Sequence, residues 1–205
     1  MDNRDRGAGK IVAAALLWGA VWGSVEATLG FVLHFVPVPG LAGALMFPVG
    51  FFCLQRAQSR AGVAAMALVP VVAAALKLLD LFLPGQVPVS VLHPALSILL
   101  QGVMLTVLAA AIRRSPLYLG AASLLWKAAF VLVLLTGLTG HSGITAASLE
   151  KKLLFFGLFT GIEVGAALLV RRTGSRIRDF RIRPAFALGA FALAASLHLL
   201  FASIS

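Results

Sequence analysis

Apolar residues in this chain fall into long runs that are broken at regular intervals by turn-forming residues. An α-helix needs about 20 apolar residues to cross a bilayer. The breaks contain proline and glycine, as between Pro37 and Gly40 and between Pro84 and Pro88. The pattern therefore predicts about seven transmembrane helices, over residues 11–35, 40–55, 61–82, 89–112, 117–138, 150–170 and 184–203.

The composition supports a membrane location for the whole chain. Of its 205 residues, 60% are hydrophobic and only 12% are charged, and the mean hydropathy is +1.01. A soluble domain would carry about 25% charged residues. The first apolar run is too long for the core of a cleaved signal peptide. We predict an all-α polytopic bundle at 11–205, preceded by a cytoplasmic segment at 1–10, in a bacterial cytoplasmic (inner) membrane.

The basic residues predict the orientation of this bundle. If seven spans alternate, thirteen lysines and arginines fall on one side, and only Lys151 and Lys152 fall on the other. Cytoplasmic connections are normally the basic ones, so the N-terminus is predicted to be cytoplasmic. The same distribution accounts for the net charge of +10 without nucleic acid as a partner. The thirteen are Arg4, Arg6, Lys10, Arg56, Arg60, Arg113, Arg114, Arg171, Arg172, Arg176, Arg178, Arg181 and Arg183.

Five charged residues interrupt the apolar runs. A charge at the centre of a membrane helix costs roughly 2.5–3.5 kcal/mol on insertion scales, so such residues usually face a protein interior or a wet cavity. They are the first candidates for a functional site. The five are Glu26, Lys77, Asp80, Lys127 and Glu163.

Most of the intramembrane polar groups are predicted to lie in the outer half of the bundle, given the topology and the rise of an α-helix. Two cations and two anions there would suit a zwitterionic solute, and two tryptophans would supply flat stacking surfaces. The predicted substrate-binding residues are Glu26, Lys77, Asp80, Gln101, Lys127, Trp22, His34, His93 and Trp126.

Structural roles for the same residues stay open at this point. Glu26 could bond Lys77 or Lys127 and so hold helices together. Lys77 and Asp80 are spaced i,i+3 and could form a local pair on one helix face. Glu163 is expected to bond another helix.

Motifs of common catalytic sites are missing from the sequence. It contains neither His-Glu-x-x-His nor Gly-x-Ser-x-Gly, and Gly9-Lys10 lacks the earlier glycine of a phosphate-binding loop. Cys53 is the only cysteine, so a cysteine-based metal cluster is not expected. We predict no enzymatic activity, no cofactor and no metal site.

Small residues recur at helical spacing in two of the runs. Ala15, Gly19 and Gly23 form one row, and Ala61 and Ala65 form another. Such rows let helix backbones approach closely in lipid. Each row could pack within this bundle or dock onto another membrane subunit.

In size, in the loop from Pro37 to Gly40, in the sequence from Phe47 to Gly50 and in its small-residue rows, the chain resembles the substrate-binding S component of energy-coupling factor transporters. The resemblance implies capture of a vitamin-like solute from outside, with a shared transmembrane subunit and ATPase subunits as partners. It also implies that the rows at Ala15 and Ala61 contact the shared subunit. Met1-Asp2 differs from the Met-His start of the family's metal-binding branch, so a nickel or cobalt role is not implied.

The sequence thus predicts a membrane transport protein that captures a small polar or amphoteric solute from the outer side. One alternative is a stand-alone proton- or cation-coupled carrier that uses Glu26 and Glu163 as alternating sites. The other is a structural membrane subunit without a ligand.

Overall fold

The computed structural model describes residues 3–30, 41–82, 87–136, 148–174 and 184–202. Within those ranges the chain forms helices and no strands. A π-helical turn at Glu26–Gly30 extends α1, a 3-10 turn at Leu79–Phe82 extends α2, and a second π-helical turn at Leu154–Leu158 joins α6 to α7. The helices are α1 (Asn3–Val25), α2 (Leu41–Leu78), α3 (Pro88–Val107), α4 (Ala109–Arg114), α5 (Leu117–Leu135), α6 (Leu149–Leu153), α7 (Phe159–Gly174) and α8 (Pro184–Ala202).

Five helical stretches among the described residues are long and apolar enough to cross a membrane, judged by length and composition. A further stretch in α8, Ala185–Ser196, is apolar but shorter. These findings confirm the prediction of an all-α membrane bundle. The five stretches are Gly7–Leu29, Leu41–Phe82, Pro88–Val107, Leu117–Leu135 and Leu149–Thr173.

Helix α2 reverses its direction at Gly62. Gly50 lies against the indole of Trp22, and Leu76 lies against Gly23, the next residue of α1. A straight helix would separate Gly50 from Leu76 by about 39 Å along its axis. Both can reach the same level of α1 only if α2 folds back between them, so residues 41–61 and 63–78 form a helical hairpin.

The reversal in the hairpin occurs at the backbone of a single residue, Gly62. Gly62 has φ 81° and ψ −173°, a region that side chains with a Cβ essentially never occupy. The sequence predicted a longer connection around Arg56 to Arg60, but those residues are helical. Alanine, arginine and glutamine dominate this stretch and favour helix, so the helix continues until glycine permits the reversal.

The remaining helices pack around this hairpin. α1 packs against α2 and α8, while α3 packs against α2 and α5. α7 contacts both α2 and α5. Arg171 of α7 also donates a hydrogen bond to the carbonyl oxygen of Ile112 in α4 at 3.2 Å, which links these two helices. The facing surfaces of α5 and α7 carry the polar residues described next.

Candidate functional site

Six polar or charged side chains are buried among the described residues. Three of them, Ser123, Lys127 and Glu163, belong to one cluster between α5 and α7. Burying such groups in a membrane bundle is costly unless each finds a partner. The other three are Glu26, Asp80 and Gln101.

Lys127 and Glu163 form an ion pair in the bundle interior. Lys127 Nζ lies 3.0 Å from Glu163 Oε1, and both side chains are fully buried. The approach is off the hydrogen-bonding direction, since Oε1 has no aligned donor among the described residues. Charge attraction and close contact therefore hold these two atoms together. The prediction that Glu163 bonds another helix is confirmed.

The second carboxylate oxygen of Glu163 is held by two donors from α5. Oε2 accepts hydrogen bonds from the Ser123 hydroxyl and from Trp126 Nε1, the latter at 3.2 Å. Ser123, Trp126 and Lys127 share one helix face because they are spaced i, i+3 and i+4. One turn and a half of α5 thus binds the whole carboxylate.

The ammonium of Lys127 is enclosed by acceptors and aromatic rings. It donates to Thr160 Oγ1 at 2.9 Å and to Ser123 Oγ at 3.3 Å. It also lies 5.7 Å from the ring centre of Trp126 and 5.5 Å from that of Phe155, within range of cation–π attraction. We call these five surrounding residues the ammonium cage: Ser123, Trp126, Phe155, Thr160 and Glu163.

Hydroxyl protons in the cage have a consistent arrangement. The Thr160 hydroxyl donates to the Phe156 carbonyl oxygen at 2.6 Å, which leaves its lone pairs for Lys127. The Ser123 hydroxyl donates to the Glu163 carboxylate and likewise accepts from Lys127. Each hydroxyl therefore donates once and accepts from the ammonium, as its chemistry allows.

A π-helical turn builds one wall of the cage. The turn Leu154–Leu158 carries Phe155, which is buried and lies edge-on to Trp126 with ring centres 6.0 Å apart. Such turns within α-helices occur frequently at functional sites. Glu26, another predicted site residue, begins the other π-helical turn among the described residues, Glu26–Gly30.

Gln101 reaches the cage through Gly43. Gln101 Nε2 donates to the Gly43 carbonyl oxygen at 3.2 Å and to Ser97 Oγ at 3.1 Å. A Cβ at Gly43 would lie 3.2 Å from the edge of Trp126 and 3.7 Å from Gln101 Nε2, so glycine leaves room for both side chains beside it. Gln101 Oε1 is buried and has no hydrogen-bond donor among the described residues. Within the part of the chain that the structure describes, this oxygen is therefore an unused acceptor.

His93 lies one ring further from the cage. Its imidazole packs edge-on against Phe130 at 5.8 Å between ring centres, and Phe130 lies 6.2 Å from Trp126. Of the predicted substrate-binding residues, the structure therefore groups Gln101, Trp126 and Lys127, with His93 at the edge of the group.

The other predicted residues are placed differently. Lys77 Nζ donates to Asp80 Oδ2 at 2.8 Å, so these two form the local i,i+3 pair. Glu26 is buried at the end of α1, and Trp22 is fully buried against Gly50. Lys77 and Lys127 thus have separate carboxylate partners, Asp80 and Glu163.

The prediction for His34 falls outside the described residues. Its membership of a substrate-binding site with Glu26 and Lys77 stays a prediction.

Three cage residues were not singled out from the sequence: Ser123, Phe155 and Thr160. Polar residues at helical spacing on two apolar runs carried a usable signal. Ser123 and Lys127 are i,i+4 on one run, and Thr160 and Glu163 are i,i+3 on another. These two pairs form one site only because α5 and α7 pack with the two pairs facing each other.

The first small-residue row faces the chain's own hairpin. A Cβ at Gly19 would lie 2.5 Å from Val72, and one at Gly23 would lie 2.7 Å from Leu76. Ala15 is buried as well. Docking of this row onto another subunit stays a prediction, and a partner would have to approach from a side that α2 does not cover.

The second row lies just beside the hairpin turn. Ala61 is half-buried, and Ala65 is fully buried. Its contact with a partner subunit also stays a prediction.

No protein-family model matches this chain, and no curated protein or solved structure matches it either. The helices and the site define a multi-pass helical membrane protein with a buried ion pair between two of its helices.

Proposed function

We propose that this protein is a membrane transport protein that captures a small polar or amphoteric solute from the outer side, with the ammonium cage and Gln101 as its binding site. The observation that carries the proposal is the fully buried Lys127–Glu163 pair. Burying an ion pair costs desolvation free energy, and an apolar pair of the same volume is often at least as stable. In membrane proteins such costs are characteristic of substrate and ion pathways.

Opposite charges suit an amphoteric solute for a simple electrostatic reason. A solute with one cationic and one anionic group can enter between Lys127 and Glu163 and leave the net charge of the site unchanged. Gln101 Oε1, which has no donor among the described residues, offers an acceptor for a solute N–H or O–H group. Trp126 offers ring surface beside both.

Seven spans with a cytoplasmic N-terminus form part of this proposal. The reversal at Gly62 supports counting α2 as two passes. Arg56 and Arg60 then precede the turn of the hairpin, on the side predicted to be cytoplasmic. In a variant with Cys53→Ser, a cysteine at the exposed Ser59 should react with a membrane-impermeant maleimide only from the cytoplasmic side. No reaction from either side would contradict the hairpin as a pair of spans.

The resemblance to the S components leads us to propose the same kind of assembly. The chain would bind solute in a bacterial cytoplasmic membrane and hydrolyse no ATP itself. A shared membrane subunit and ATPase subunits would drive uptake. Affinity purification of the full chain from its native membrane should then recover both kinds of partner, and recovery of neither would count against this assembly.

Mass spectrometry of small molecules released from the purified protein tests the site itself. The wild type should retain a recurring small solute. Glu163→Gln should lose it, because the replacement removes the carboxylate yet keeps an oxygen for Ser123 and Trp126. Glu150→Gln, on the exposed α6, is the matched control and should retain it.

A structural subunit without ligand is the competing function. The complete set of partners around the Lys127 ammonium favours it, since a saturated pair can hold two helices together without any solute. The same measurement separates the two. If folded wild type, Glu163→Gln and Glu150→Gln all release no solute, the pair is structural and the transport proposal is wrong.

A further inference from the structure

The surroundings of Lys127 form a binding site for a cation in their own right. One carboxylate, two hydroxyl oxygens and two aromatic ring faces converge on a single ammonium. We propose that Lys127 is an internal substitute for an ammonium group of the solute, and that this group occupies the cage when Lys127 moves out. This inference rests on the proposed function and narrows the solute to one that carries a protonated amine.

The chemistry of the cage selects for charge sign. Hydroxyl protons are already directed to Glu163 and to the Phe156 carbonyl, so both hydroxyls present lone pairs to the ammonium. The ring faces of Trp126 and Phe155 carry negative electrostatic potential and attract cations. An anion in the same position would face a carboxylate and these lone pairs. The cage therefore disfavours a carboxylate or a phosphate group.

The number of acceptors selects for the type of cation. A primary ammonium has three N–H groups. The cage offers three oxygen atoms within 3.3 Å of Nζ, at 2.9, 3.0 and 3.3 Å. An untethered primary amine can rotate to place one hydrogen towards each oxygen, including Glu163 Oε1, which has no aligned donor among the described residues. A quaternary ammonium would leave these oxygens without donors, at a cost for each buried group.

Lysine is suited to act as a displaceable occupant. Its ammonium is a compact charge on a flexible four-carbon stem, so it can leave the cage while α5 stays in place. The displaced ammonium would pair with the anionic group of an amphoteric solute. Both charges of the original pair then stay neutralised, in the order lysine, solute anion, solute ammonium, glutamate.

Competition with Lys127 has a measurable consequence. The solute binds only the fraction of molecules whose cage is open, and its apparent affinity is reduced by that fraction. Truncation of Lys127 removes the competitor and leaves the carboxylate, the hydroxyls and the rings. Small alkylammonium ions should then bind more tightly to the variant than to the wild type.

Ethylammonium chloride is the probe, and the purified full-length chain is the sample. Lys127→Ala should bind ethylammonium at least about tenfold more tightly than the wild type, as measured by calorimetry. Sodium propionate, of similar size and opposite charge, should bind to neither protein. Lys151→Ala, which removes an exposed lysine, is the matched control and should behave as the wild type.

Lys127→Ala leaves the buried carboxylate of Glu163 without its cation, so the folding of this variant must also be measured. Ethylammonium present during purification should raise the yield of folded variant, whereas propionate should not. Thr160→Val provides an independent variant with the ion pair intact. It removes one acceptor of the cage and should weaken the binding of the amine-bearing solute released from the wild type.

Each result has a defined meaning. Equal ethylammonium affinity in wild type and Lys127→Ala, or binding of propionate in place of ethylammonium, would overturn the substitute role of Lys127. A retained solute without an amine would overturn it too, while leaving solute capture intact. If the wild type retains no solute and neither probe binds to any variant, both this inference and the proposed function fail.

Discussion

Removal of the Lys127 charge should be one of the most destabilising changes that this fold can undergo. Lys127→Met replaces the side chain by an unbranched apolar one of similar length, which adapts well to irregular interiors. Packing is largely kept, so the main loss is the charge opposite Glu163. The carboxylate would remain fully buried with its Ser123 and Trp126 donors but without a cation.

The magnitude follows from the geometry. At 3.0 Å, with an effective dielectric constant of about 20, the attraction between unit charges is about 5.5 kcal/mol. Measured costs of breaking a buried pair by removing one partner are about 3–5 kcal/mol, because the other charge is left uncompensated. We expect Lys127→Met to lose about 3–5 kcal/mol of the free energy of unfolding.

A double variant tests whether the unpaired carboxylate of Glu163 causes this loss. Lys127→Met combined with Glu163→Gln leaves no buried charge in the cage, and the amide oxygen still accepts from Ser123 and Trp126. Neutral replacement of a whole buried pair is often tolerated. We therefore expect the double variant to be more stable than Lys127→Met alone by at least about 1 kcal/mol.

Equilibrium unfolding in mixed micelles, followed by far-ultraviolet circular dichroism, measures these differences. Lys152→Met, at an exposed position of α6, is the matched control and should change stability by less than about 0.5 kcal/mol. A loss below about 1 kcal/mol for Lys127→Met would refute a desolvated pair. A double variant no more stable than the single one would show that the carboxylate left behind by Lys127→Met does not cause the loss of stability.

Three glycine substitutions test the packing and the hairpin, each by the same unfolding measurement. Gly102→Ala should cost about 1–3 kcal/mol because its Cβ would lie 2.3 Å from Pro70, and an unchanged stability would contradict the close approach of α3 to α2. Gly161→Ala should be neutral or stabilising by up to about 1 kcal/mol, since the space around Gly161 is open and alanine favours helix. Gly62→Ala should cost about 1–3 kcal/mol through its backbone conformation alone, and a neutral result would mean that the hairpin turn does not need φ 81°.

The class of protein and the rough position of its helices were readable from the sequence. A run of apolar residues must satisfy its backbone hydrogen bonds internally in lipid, and a helix does this with local contacts only. Local information therefore sufficed for an all-helical membrane bundle. It also marked Lys127 and Glu163, because any charge in such a run stands out.

Partner choice was decided by the tertiary structure. Sequence reasoning left Lys127 open to Glu26, whereas the fold places it against Glu163, 36 positions further along the chain. The rotation of α5 and α7 about their axes and their relative height set this pairing, and both depend on packing against α2 and α3. No local pattern encodes them.

The hairpin and the glycine contacts show the same division. A glycine in an apolar run predicts a close approach, but not the surface that approaches it. Only the fold shows that Gly43 leaves room for Trp126 and that Gly62 reverses a helix whose preceding residues, rich in alanine, arginine and glutamine, favour its continuation. Composition alone indicated that this chain is a membrane protein, because the free energy of transfer from water to lipid is roughly a sum over individual residues. Its site depended on contacts between distant residues, which exist only once the helices have packed.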